Sequence, residues 1–116
     1  MIWFCELIDV YRAINSFEQR FLVQSNLCLN EAMILCLLNS KTNMHTGQII
    51  EKLALPPPHI SKLLKSLEDK GFIVRKIDKS DKRKMCFFVS KNGLEKLEEI
   101  KPFSEEFAQL LSQSKK

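Results

Sequence analysis

Apolar residues return at three- and four-residue steps through the opening stretch, at Leu7, Tyr11, Ile14, Phe17, Phe21 and Leu22. That spacing predicts an amphipathic helix from about Trp3 to Gln24, unusually rich in large apolar groups. Asn30 can cap a second helix, EAMILCLLNS, which is apolar almost all the way round and must be covered on most sides. Asn43 to His45 reads as a short strand fragment. Thr46 then reads as the cap of a third helix, GQIIEKLA, with Ile49, Ile50 and Leu53 turned inward.

The stretch LPPPHISKLLKSLEDKG has prolines where a helix can begin, because the first helical N–H has no intrahelical partner to lose. Gly71 stands where a left-handed residue would end it. Ile60, Leu63, Leu64 and Leu67 fill one helical face. The opposite face carries Pro58, Lys62, Lys65 and Asp69, flanked by Ser61 and Ser66. Its bases come early and its acids, Glu68 and Asp69, come late, against the preference of the helix dipole. Helix stability did not choose that order.

FIVRKI and MCFFVS then read as two strands of a hairpin around a charged turn, with Met85, Phe87 and Val89 alternating toward the core. Ser90 can cap a helix through Leu94, Leu97 and Ile100, interrupted at Pro102. A last helical piece carries Phe103, Phe107, Leu110 and Leu111, and the terminal SQSKK should fray. The expected fold is mainly α with a small β-hairpin, in one domain spanning residues 1–116.

At 116 residues the chain can bury a modest core. No apolar run reaches the roughly 18 residues of a spanning helix, and the start lacks a basic leader and cleavage site, so the expected setting is cytoplasmic with no membrane partner. Cys5, Cys28, Cys36 and Cys86 sit among apolar neighbours without C-x-x-C spacing and read as buried free thiols. His45 and His59 lie far along the chain from any second ligand at metal spacing, so neither a metal nor another cofactor is expected. No Gly-rich phosphate loop, H-E-x-x-H or nucleophile–base pair is present, and the reading is not an enzyme.

Charge changes the picture once it is located. Residues 59–91 hold ten Lys/Arg against four Asp/Glu, whereas the segments on either side each carry a net charge of −1. A basic block between two slightly acidic ones fits a surface for a polyanion. The third and fourth helices, residues 46–70, resemble a helix-turn-helix, and the hairpin at 72–90 stands where a wing would follow. Double-stranded DNA is the expected partner. Pro58, His59, Ser61, Lys62, Lys65 and Ser66 face it from the helix. Lys79, Lys82, Arg83 and Lys84 face it from the wing, with Asp81 orienting Arg83. In this reading Arg83 enters the minor groove and the lysines neutralise phosphates. The alternative is a winged-helix protein-interaction module without specific DNA binding, which the position of the basic excess disfavours.

The stretch LEDKGFIVRKIDKSDKRKMCFFVSKNG resembles the winged helix-turn-helix transcription regulators of the MarR family. The matching residues are Leu67, Glu68, Gly71, Asp81, Arg83, Ser90 and Gly93. The resemblance is good from Thr46 to Gly93 and extends to the first two helices by order only. It implies a homodimer on a pseudo-palindromic operator, with recognition helices in major grooves and wings in minor grooves. It also implies dimerisation through the terminal helices, here 1–26 and 92–116, and a small-molecule or oxidant effector near the dimer interface. Cys5, two turns before Tyr11, can be read as a peroxide-sensing thiol, although a cysteine packed in a helix interface is the simpler reading. The chain departs from the family pattern in placing Pro56, Pro57 and Pro58 where Ser or Thr is usual, and in its short C-terminal region.

Overall fold

The computed structural model describes residues 3–41 and 44–114, the last two as backbone only. Among these residues the order is α1 (Phe4–Ser25), α2 (Leu29–Ser40), β1 (Met44–His45), α3 (Thr46–Leu53), α4 (Pro57–Asp69), β2 (Ile73–Ile77), β3 (Met85–Val89) and α5 (Lys91–Ser114). Asn43, expected in the strand fragment, and Lys115 and Lys116, expected to fray, lie outside the described residues. No single helix among those described is long and apolar enough to cross a membrane.

The chain divides into two compact units: one is Asn30–Glu98, and the other joins the first 29 residues to the chain from Glu99 onward. Within the Asn30–Glu98 unit the sheet is antiparallel, in the order β1-β3-β2, with Met44 opposite Phe87 and Ile73 opposite Val89. Ile34, Leu35, Leu38, Ile49, Ile60, Leu63, Leu64, Leu67, Ile73 and Phe87 are buried in its core. The four apolar positions of α4 are therefore its inner face, as the periodicity predicts. Strand β3 departs from strict alternation. Cys86 and Phe87 are both buried while Met85 is exposed. Adjacent residues point to opposite faces, so at Cys86 and Phe87 both faces of the strand are covered and neither is a solvent side.

Local chemistry fixes the element ends. Asn30 falls inside the first turn of α2 rather than at its cap. His45, not Thr46, is the N-cap of α3, and its backbone N–H donates to Gln48 Oε1 at 2.8 Å. Helix α4 ends in a Schellman arrangement. Phe72 N–H donates to Leu67 O, Gly71 N–H donates to Glu68 O, and Gly71 takes φ +82°. Ser90 caps α5 through a 3.0 Å bond from Gly93 N–H, and its own hydroxyl donates to Gly71 O at 2.7 Å. A Cβ on Gly93 would lie 2.2 Å from Phe72 O, so this crossing admits only glycine.

In the other unit, Phe17 and Phe21 of α1 are buried and pack with Phe103 and Phe107 of α5. Ring centroids lie 5.0 Å apart for Phe17–Phe107 and 5.2 Å for Phe21–Phe103. Arg20 bonds Glu106 at 2.7 Å beside this cluster. Helix α5 does not break at Pro102; it runs on to Ser114, through Ser112 at the start of the tail expected to fray. The lost N–H removes one intrahelical bond, while Phe103 and Phe107, just beyond the proline, anchor the continuation. The apolar stripe of α1 is only half used. Trp3, Phe4, Leu7, Ile8, Tyr11 and Leu22 are exposed.

Burial also separates the cysteines. None of the four is in a disulfide, but only Cys86 is buried; Cys28 is half-buried, and Cys5 and Cys36 are exposed. Cys5 is thus not packed in a helix interface within this chain.

Candidate nucleic-acid interface

Three prolines shape the start of α4. Pro56 is the N-cap and Pro57 and Pro58 open the first turn. Two of the helix's first N–H groups are thereby absent. The next two, on His59 and Ile60, both donate to Pro56 O, at 3.0 and 3.1 Å. No N–H at this terminus is left to hold a phosphate, so any grip on an anion must come from side chains. Pro58, His59, Ser61, Lys62 and Lys65 are exposed. Lys65 lies 3.9 Å from Asp69, and Lys62 has no ion-pair partner among the described residues.

Ser66 is different. It is half-buried and its hydroxyl donates to Glu31 Oε2 at 2.9 Å. Glu31, on α2, is buried, and Lys70 Nζ bonds both of its oxygens at 3.0 and 2.9 Å. A buried carboxylate needs such donors. Ser66 therefore ties α4 to α2 through its hydroxyl, and the structure turns it from the face on which the sequence pattern places it.

The wing is held at its base by Asp78 N–H donating to Lys84 O and at its tip by Lys84 N–H donating to Asp81 O, both at 3.0 Å. Two aspartates brace the turn between them. Asp78 Oδ1 accepts from Ser80 N–H and Oγ, each at 2.8 Å, and Asp81 Oδ1 accepts from Arg83 N–H at 3.0 Å. Lys79, Lys82, Arg83 and Lys84 are exposed. The Arg83 side chain is 95% exposed, with Asp81 Oδ1 at 3.8 Å as its one partner among the described residues.

Two more cations stand on β2, where the sequence pattern alone assigns them no role. Arg75 Nε donates to Glu68 Oε2 at 2.9 Å and its guanidinium lies over the Phe87 ring. Glu68 is the first cause of the raised Arg75 pKa, through the hydrogen bond and then its charge. The pair links the end of α4 to the first wing strand. Lys76 lies over Phe88 at 5.2 Å. Their position on a strand with a single large buried residue, Ile73, leaves both side chains exposed.

The sheet also gathers a group that linear spacing hides. His45, Asp78 and Cys86 have ligand-type atoms all within 4.8 Å of one another. The His45 Nε2 to Asp78 Oδ2 distance is 2.6 Å. That hydrogen bond, followed by those from Ser80, holds the Asp78 carboxyl far below the ordinary carboxylate range. Burial pushes the Cys86 thiol up, with Asp78 adding to it. The expectation of no metal rested on distance along the chain, and strand pairing removes that premise.

An α3–turn–α4 pair followed by a braced, cation-tipped hairpin defines a winged helix-turn-helix. A model of the MarR family matches residues 27–85, half of the chain, and the chain belongs to the MarR family of DNA-binding transcriptional regulators. The structure of S. aureus MepR in complex with DNA matches with a TM-score of 0.84 at 21% identity, covering 97% of this chain and 85% of that one. A MarR transcription factor from Planctomyces limnophilus gives 0.78 at 24% identity, covering 96% and 82%. A MarR transcriptional regulator from Methanosarcina mazei Go1 gives 0.78 at 17%, covering 93% and 78%. At these identities the likeness is one of fold. No curated protein sequence matches the chain.

Proposed function

We propose that the chain regulates transcription by sequence-specific binding to double-stranded DNA as a homodimer, with α4 in the major groove and the β2–β3 wing in the minor groove. The observation that carries this reading is Arg83. Among the residues matching the family pattern, Leu67, Glu68, Gly71, Asp81, Ser90 and Gly93 are each accounted for by the fold itself. They supply, in turn, a buried side chain, an ion pair, a left-handed turn, a braced tip, a cap and a close crossing. The Arg83 side chain supplies almost nothing of the kind. A guanidinium held out at the tip of a braced turn is suited to the focused negative potential of a narrow minor groove.

On α4, Ser61, Lys62 and Lys65 carry base and phosphate contacts, with Pro58 and His59 at the entry. Lys79, Lys82 and Lys84 neutralise phosphates beside the wing. Ser66 supports α4 through Glu31. Homodimerisation is favoured by the exposed apolar row of α1, Phe4, Leu7, Ile8 and Tyr11, which repeats at helical spacing. A small-molecule effector site near that interface belongs to the same proposal. Selection of bound duplexes from a random pool tests it. The expected product is an inverted repeat with half-sites about 10 bp apart, one turn of duplex. Recovery of no enriched sequence, with binding only at low salt, would favour a module whose specific partner is a protein.

A further inference from the structure

We propose that His45, Asp78 and Cys86 form a site for a borderline-soft divalent metal ion, of the zinc class, at the base of the wing. His45 stands on β1 directly opposite Cys86 on β3, and Asp78 immediately follows β2. Three consecutive strands of the sheet thus each deliver one donor of a different kind. A tetrahedral zinc ion bound at about 2.0–2.3 Å needs donor atoms roughly 3.4–3.8 Å apart. Donors already within 4.8 Å of one another reach that with small side-chain adjustments. Thiolate with imidazole selects zinc or a neighbouring transition ion over magnesium or calcium, and three protein donors leave a fourth position open.

The hydrogen bonds around His45 also suit a metal-binding histidine. Gln48 Oε1 accepts the His45 backbone N–H at 2.8 Å, which fixes this atom as the amide oxygen. The same oxygen lies 3.1 Å from His45 Nδ1, so Nδ1 carries a proton and donates to it. Nε2 is thereby the ring nitrogen left for a metal ion, and it faces the Asp78 carboxylate oxygen at 2.6 Å. A proton on Nε2 makes this contact the hydrogen bond described above, and a bound ion would take that proton's place. Gln48 plays the outer-shell part that fixes the tautomer of a metal-binding histidine, and Ser80 holds the other Asp78 oxygen. His45 and Asp78 remain partly open, with side-chain exposures of 24% and 18%, so an ion can enter. On binding, the Cys86 thiol releases its proton to solvent and the thiolate becomes the ligand.

Occupancy has a consequence that rests on the DNA-binding reading. Asp78 closes the base of the wing, and His45 caps α3, so the ion would fix the tip carrying Arg83 against the helix-turn-helix. The test is titration of the chelator-treated full chain with cobalt(II), followed by zinc(II), without DNA. One equivalent of cobalt should give thiolate-to-cobalt charge transfer and the intense visible bands of tetrahedral coordination, both abolished by zinc. Cys86→Ser and Asp78→Asn should lose the charge-transfer signal and at least tenfold in affinity, while Cys5→Ser and Cys36→Ser retain both. Gln48→Ala should bind about 10–100-fold more weakly. Should Cys86→Ser not fold, the Asp78→Asn and Gln48→Ala results decide. Absence of the charge-transfer band in the folded wild type, its survival in Cys86→Ser, or its loss in Cys5→Ser or Cys36→Ser would overturn the site. A proton shared by His45 and Asp78 would then be the occupant. In a parallel arm, one equivalent of zinc should raise duplex affinity several-fold. Metal binding without that gain sinks the coupling and leaves the site standing.

Discussion

Two polar side chains of the basic region, Ser66 and Arg83, show how differently two positions expected to face DNA can be used. Ser66 donates to a carboxylate buried beneath α4, whereas Arg83 is almost wholly in solvent. Exchanging Ser66 for alanine removes a donor from Glu31 and should destabilise the fold by about 1–3 kcal/mol, seen as a lower midpoint in urea. Arg83→Ala should leave that midpoint unchanged, since an exposed pair contributes about 0–1 kcal/mol, yet weaken duplex binding. Equal loss of stability in both variants would contradict this division. Helical spacing could place Ser66 beside the basic face but could not reveal its partner, because Glu31 lies 35 positions earlier. His45, Asp78 and Cys86 were hidden for the same reason. Such pairings belong to the tertiary fold and leave no trace in local periodicity.

Among elements, those whose ends are written in local chemistry were the most legible. The prolines at the start of α4, Gly71 at its end and Ser90 before α5 all act where the sequence places them. Strand β3 escapes the alternation rule because that rule presumes one wet face, whereas Cys86 and Phe87, which point to opposite faces, are both buried. The break expected at Pro102 is absent because propensity is a weak prior against a packed aromatic face, here Phe103 and Phe107 against Phe17 and Phe21. Pro102→Ala should restore an N–H to Glu98 O and stabilise the protein by about 1–3 kcal/mol, less a few tenths for the freer unfolded chain. A calorimetric midpoint that falls would mean that the proline serves the native conformation.

For the whole molecule, the exposed apolar row of α1 and the cationic surfaces of α4 and the wing are two features that folding alone leaves unexplained. If the first is a homodimer interface, Ile8→Glu should leave the helical circular dichroism intact and convert a dimer to a monomer in sedimentation. Affinity for an inverted repeat should then fall roughly 10²-fold or more as bivalency is lost. A monomeric wild type would refute that interface. The second feature is tested most directly by duplex affinity between 50 and 200 mM salt. If the surface neutralises six to ten phosphates, affinity should fall by roughly 10³–10⁵ across that range. A folded protein whose duplex affinity stays flat with salt would contradict the account.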